Sequence, residues 1–123
     1  MSSAPASVRA LHRAPVAVRV VTAAVDGASD KELRAMVDDL RARLGTGVVL
    51  LAATAEGRVS LALGVTENLT KQLRAGDLVR EVAAVVDGKG GGRPEFARAG
   101  GAAPERLEEA FARLDALIAE TRG

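Results

Sequence analysis

Between Gly88 and Gly101 the chain reads Gly-Lys-Gly-Gly-Gly-Arg-Pro-Glu-Phe-Ala-Arg-Ala-Gly-Gly, and six of these fourteen positions are glycine. Glycine reaches backbone conformations closed to other residues and lets a neighbouring backbone come close. The composition suits neither a helix nor a plain strand, so the stretch reads as a glycine-rich loop. Amides exposed along such a loop form a concavity that holds an anion. Lys89, Arg93 and Arg98 stand within it, and arginine suits phosphate because its planar fork donates two hydrogen bonds at once. The chemistry on offer is therefore contact with a phosphate backbone. A second use of the same residues is packing, with glycines letting the loop lie tight across a sheet and Pro94, Phe96 and Ala97 as anchors. The two uses are compatible.

Other chemistries fail on residue type or spacing. A nucleotide-hydrolase phosphate loop needs Gly-Lys-Ser/Thr opening a helix after a strand; here Lys89 is followed by Gly90 and no hydroxyl stands where magnesium would be held. The glycine spacing does not match a dinucleotide site either, and the stretch follows a helical pattern instead of a strand. Carboxylate pairs can be drawn from Glu32, Asp38, Asp39, Asp77 or Asp87, but with 16 acids in the chain nothing isolates one pair. There is no cysteine, and His12 is the single histidine, which leaves no thiol nucleophile, no zinc-thiolate site and no His-pair ligation. No catalytic residue, metal or cofactor is expected.

The 123 residues make room for one domain. Hydrophobic residues are 48% but aromatics only 2%, so the core must be built from Ala, Val and Leu. Base stacking on Trp or Tyr is excluded, and only Phe96 and Phe111 could serve. The formal net charge of +1 is far from the basic footprint of a stand-alone nucleic-acid binder, so any attraction for phosphate is local. No apolar run reaches the roughly 18 to 20 residues needed to cross a bilayer, and no membrane partner is expected. Residues 1–15 carry Arg9, Arg13 and His12 without an acid and read as a flexible leader, with an organelle-targeting segment as the alternative. Residues 16–123 read as the domain.

The elements that must position the glycine stretch follow from periodicity. Residues 16–25 are β-branched and alternating, with Val16, Val18 and Val20 on one face and Arg19 on a face expected to see water. Ser29-Asp30-Lys31-Glu32 is a capping box. Leu33, Met36, Val37, Leu40 and Leu44 follow at helical spacing until Gly45 stops the helix. The outer face of that helix carries Arg34, Asp38, Arg41 and Arg43, a mixed set that reads as solvated surface, with a nucleic-acid role as the alternative. Residues 48–54 are continuously apolar, Glu56-Gly57 turns the chain, and Val59, Leu61 and Leu63 alternate: a β-hairpin with one face on the core. Thr66 to Leu73 reads as a short helix. Gly76-Asp77 begins another with Leu78, Val82, Val85 and Val86 on one stripe. Pro104 opens the last, with Leu107, Ala110, Phe111, Leu114, Leu117 and Ile118 facing the core. The expected class is α/β (α+β): a small mixed sheet with helices packed on it and the glycine-rich loop before the C-terminal helix.

Residues 90–101 closely resemble the signature near the C-terminus of alanyl-tRNA synthetases, in the globular part of their C-terminal domain (C-Ala), a member of the DHH-associated domain family. The resemblance extends through Glu32-Leu33-Arg34, Val37-Asp38, Leu40-Arg41, Leu44-Gly45, Leu61 to Thr66 and Ala75-Gly76-Asp77-Leu78-Val79, and covers the chain from about Val16 onward. It implies a non-catalytic, cytoplasmic domain that binds the outer corner, or elbow, of tRNA. The implied partners are alanine-specific tRNA or another nucleic acid, and a second copy or the catalytic portion of a synthetase. The binding residues it implies are Lys89, Gly90, Gly91, Gly92, Arg93, Pro94, Arg98, Gly100 and Gly101. Arg98 replaces the usual glutamine of the motif, and Asp87 stands where glycine is common. The aminoacylation and editing parts of the family have no counterpart here, so the expectation is a chain that by itself does neither. The same domain accompanies DHH phosphoesterases, whose Gly-Gly-Gly-His motif helps bind the substrate phosphate; here Arg93 takes the histidine position and no Asp-His-His motif exists. A protein-joining (dimerisation) module and a single-strand-binding remnant of such a phosphoesterase are the alternatives.

Overall fold

A computed structural model describes residues 7–13, 16–25 and 27–120. Strands β1 (Ser7–Arg13), β2 (Val16–Ala24), β3 (Gly47–Ala55), β4 (Arg58–Val65), β5 (Lys89–Gly92) and β6 (Phe96–Gly101) form one sheet in the order β1-β2-β3-β4-β6-β5. Among the described residues, only β2 and β3 pair in parallel. Helix α1 (Asp30–Leu44) is the crossover that this requires. Helices α2 (Ala75–Val85) and α3 (Leu107–Glu120) complete the set, with single 3-10 turns at Glu67–Leu69 and Pro104–Arg106. A mixed sheet with helices packed on it is the architecture expected from the sequence.

The capping box forms as read: the Glu32 amide donates to Ser29 Oγ and the Ser29 amide to Glu32 Oε1. Gly45 ends α1 with φ 77. Leu33 and Val37 are fully buried against the sheet, each worth about 1.5–3 kcal/mol relative to exposure. The hairpin between β3 and β4 turns on Glu56 and Gly57, both at positive φ (52 and 77), with Ala55 opposite Arg58. That is the two-residue geometry whose twist matches the strands.

Alternation along β3 explains its continuously apolar sequence. Val48, Leu50 and Ala52 join a core shared with α2 and α3, whereas Val49, Leu51 and Ala53 join a second core under α1. The strand is covered on both faces.

The structure differs from the sequence reading at several points. β2 and β4 have both faces covered: Val21, Ala23 and Ala62 lie in the α1 core, because the crossover helix lands on the face expected to see water or lie open. Arg19, early in β2, is itself exposed. Thr66 to Leu73 yields a single 3-10 turn, since Thr66 is held elsewhere: its hydroxyl accepts from the Gly47 amide (3.0 Å) and donates to Asn68 Oδ1 (2.7 Å). Phe111 packs half-buried at the margin of the α2–α3 core instead of in its centre. Ser7–Arg13, inside the stretch read as a leader, pairs antiparallel along β2 from Ser7↔Thr22 to Arg13↔Val16. The remainder of that stretch lies outside the described residues. The glycine stretch, finally, is not a loop. It is the β5–β6 hairpin, paired from Lys89↔Gly100 to Gly92↔Ala97 and joined to the sheet through β6 on β4.

Candidate nucleic-acid interface

Residues opposite each other in an antiparallel ladder point to the same face. Gly90 faces the same way as Ala99, and Gly92 as Ala97, toward the core beneath α2. Lys89 shares its face with Gly100, and Gly91 with Arg98; this is also the face of Phe96, which closes the α1 core. Helix α1 lies mainly over β3 and β4 and reaches the hairpin at Phe96, Glu95 and Arg98, leaving Lys89, Gly91 and Gly100 exposed. One face of the hairpin is thus packed and the other open.

Crowding explains four of the six glycines of the stretch: Gly88, Gly90, Gly92 and Gly101. A Cβ on Gly101 would stand 2.6 Å from the Val86 carbonyl oxygen, and one on Gly76 would stand 2.7 Å from that of Gly92. The hairpin turn also caps α2. The Ala75 amide donates to the Pro94 carbonyl (2.8 Å) and the Gly76 amide to that of Arg93 (3.2 Å). These are first-turn N–H groups that lack partners within the helix. The Arg93 amide donates to the Phe96 carbonyl across the turn, so it is spent on the hairpin and not presented as an anion cradle.

On the open face the glycines have another character. A Cβ on Gly91 would meet nothing within 4 Å, and one on Gly100 would meet only the Val59 carbonyl oxygen at 3.8 Å, ordinary contact. Neither has a positive φ. Neither packing nor conformation demands glycine there, and the result is a bare strip of backbone between Lys89 and Arg98.

Around this strip the structure assembles a set of arginines from distant segments. A shallow hollow is lined by Arg34, Gly91, Arg93, Phe96 and Arg98 among others. The Arg34 guanidinium lies over the Phe96 ring, 4.4 Å from its centroid. Arg41 donates to the Glu95 carbonyl (2.7 Å), tying α1 to the hairpin turn. Acids accompany these cations: Arg98 lies 3.7 Å from Asp30, Arg93 3.8 Å from Glu95, and Arg41 3.2 Å from Asp38. The pairs of Arg93 and Arg98 are long and exposed, and such pairs contribute about 0–1 kcal/mol, so a phosphate competes readily for either arginine. Among the described residues no acid lies within ion-pairing distance of Lys89.

Of the residues proposed from the sequence, the structure places Lys89, Gly91, Arg98 and Gly100 on the open face, with Arg93 and Pro94 exposed at the turn. Gly90, Gly92 and Gly101 face the helix side. Sequence reasoning weighed a nucleic-acid role for the helix face of Arg34 and Arg41 only as an alternative and did not join it to the glycine motif. They sit on a helix read as solvated surface, and only the sheet order brings that helix beside the hairpin.

Comparison with known proteins agrees with this architecture. The DHHA1 domain family profile matches residues 17–120. An alanine–tRNA ligase of Idiomarina loihiensis is 50% identical over 95 residues; the match covers 77% of this chain but only 11% of that ligase. The crystal structure of the C-Ala domain from Aquifex aeolicus alanyl-tRNA synthetase superposes with a TM-score of 0.82 at 27% identity, covering 89% of this chain and 97% of that one. A DHH-domain member of the s1p family of ribosomal proteins shares the fold alone, with a TM-score of 0.61 at 14% identity over 94% of this chain and 28% of its own. With the family profile matching residues 17–120 and the fold matched over 89% of its length, the chain belongs to the DHHA1 domain family and resembles the C-terminal domain of alanyl-tRNA synthetase.

Proposed function

We propose that this domain is a non-catalytic RNA-binding module that takes the elbow of a tRNA, alanine-specific by resemblance, on the open face of the β5–β6 hairpin. The observation that carries the reading is the bare backbone at Gly91 and Gly100, where side chains would fit without clash. Lys89 and Arg98 flank it on the same face. A surface kept bare beside cations suits the close approach of a phosphate backbone. Lys89, Arg93 and Arg98 supply the charge, and Gly91 and Gly100 the clearance. Gly90, Gly92, Pro94 and Gly101 hold the hairpin against α2. In a synthetase the domain would serve as an accessory to the catalytic portion.

The test is fluorescence anisotropy of labelled tRNA titrated with salt, using wild type and the Arg93→Ala, Arg98→Ala double variant. Saturable binding is expected, with the double variant weaker and its salt slope shallower by about two. No binding at low salt by folded wild type would overturn the reading.

A protein-joining role draws on a different observation: β5 is an edge strand of the sheet, and edge strands offer unpaired backbone groups to a second chain. Sedimentation of the RNA-free protein separates the two readings. Self-association that is abolished by altering β5, together with no affinity for tRNA, would favour joining.

A further inference from the structure

We propose that Arg34, which lies over the Phe96 ring, is a landing surface for an exposed nucleobase, so that the site reads a base plane as well as phosphates. The inference rests on the RNA reading of the hairpin's open face. The chain has no Trp or Tyr, and Phe96 is only 7% exposed, so no aromatic ring is free at the site to stack on a base. Arginine supplies the substitute, because guanidinium planes stack on bases and the cation is attracted to an electron-rich ring.

The geometry prepares Arg34 for this. Its Cζ lies over the Phe96 ring, 4.4 Å from the centroid. Asp38 Oδ2 stands 3.8 Å from Nε, at the guanidinium edge, while the side chain remains 58% exposed. Held over the ring and guided at one edge, the guanidinium keeps more than half of its side-chain surface toward solvent. Beside it lies Gly91, where even a Cβ would meet nothing within 4 Å, and beyond that Arg98 and Arg93 line the same hollow. A flat ring lowered onto Arg34 meets no side chain at Gly91 and has cations at its margin for the attached phosphates.

Two measurements on the full chain with tRNA test this. Arg34→Lys keeps the charge and removes the plane. It is expected to weaken tRNA binding about tenfold while leaving the salt slope unchanged, with an unaltered circular dichroism melt. In NMR of wild type, the Arg34 Nε–H signal is expected to move upfield when tRNA is added, because a ring stacked above it shields the proton. A hydrogen bond to phosphate would move it downfield, and a purely structural role would leave it in place. Wild-type binding combined with full affinity of Arg34→Lys, or with an unmoved or downfield signal, overturns the stacking and leaves the RNA reading standing. Absence of tRNA binding by the wild type overturns both.

Discussion

Gly76 and Gly92 meet backbone to backbone: a Cβ added to the first residue of this pair would lie 2.7 Å from the carbonyl oxygen of the second. This contact sets the hairpin against the start of α2, where the turn carbonyls of Arg93 and Pro94 receive the first helix amides. The helix thus holds the hairpin from its inner face, opposite the face proposed to bind RNA.

Gly76→Ala therefore should destabilise the fold by about 1 to 3 kcal/mol, the cost of overpacking. The sign is diagnostic, since Ala in a helix interior is otherwise favoured over Gly by about 1 kcal/mol. Urea denaturation gives the answer, and a stabilised variant would contradict the close approach.

Gly91→Ala should behave in the opposite way. Its Cβ enters open space, and Ala costs less conformational entropy in a strand, so stability should hold or rise by about 0.5 kcal/mol. Affinity for tRNA should fall several-fold as the bare strip is filled. A thermal melt and an anisotropy titration on one preparation check both halves.

Thr66→Val removes the hydroxyl that accepts from the Gly47 amide and anchors Asn68, whose Nδ2 in turn donates to Thr46 Oγ1 (2.7 Å). Thr66 is buried, so the amide loses its side-chain partner out of reach of solvent. A loss of about 1 to 3 kcal/mol is expected, with faster hydrogen exchange at Gly47 as its local signature.

Asp87 closes α2 at φ 56, a left-handed conformation that a Cβ disfavours. Asp87→Gly should raise stability by about 1 kcal/mol, read as an increase in Tm, with the same tRNA affinity as wild type.

How much of this was legible in the sequence depended on whether local rules and tertiary contacts agreed. Helix α1 could be read at both ends because a capping box and a terminal glycine act through their own neighbours. The β3–β4 hairpin was legible because Glu56-Gly57 encodes its turn. The glycine stretch misled because β5, Lys-Gly-Gly-Gly, has no β-branched or aromatic residue by which a strand is recognised. It is a strand because β6 offers a ladder edge and α2 approaches too closely for side chains.

The sequence by itself determined the class of fold, the motif and the phosphate-seeking residue types, since these depend on composition, short-range periodicity and a contiguous signature. Tertiary structure alone decided which glycines pack and which stay bare, because that follows from ladder parity and from α2 lying on one face. It also decided that Arg34 and Arg41, far from the motif along the chain, join it. The parallel β2–α1–β3 crossover sets α1 beside β4, and β6 pairs with β4 from the other side. That adjacency is a property of sheet order, which no local stretch of sequence encodes.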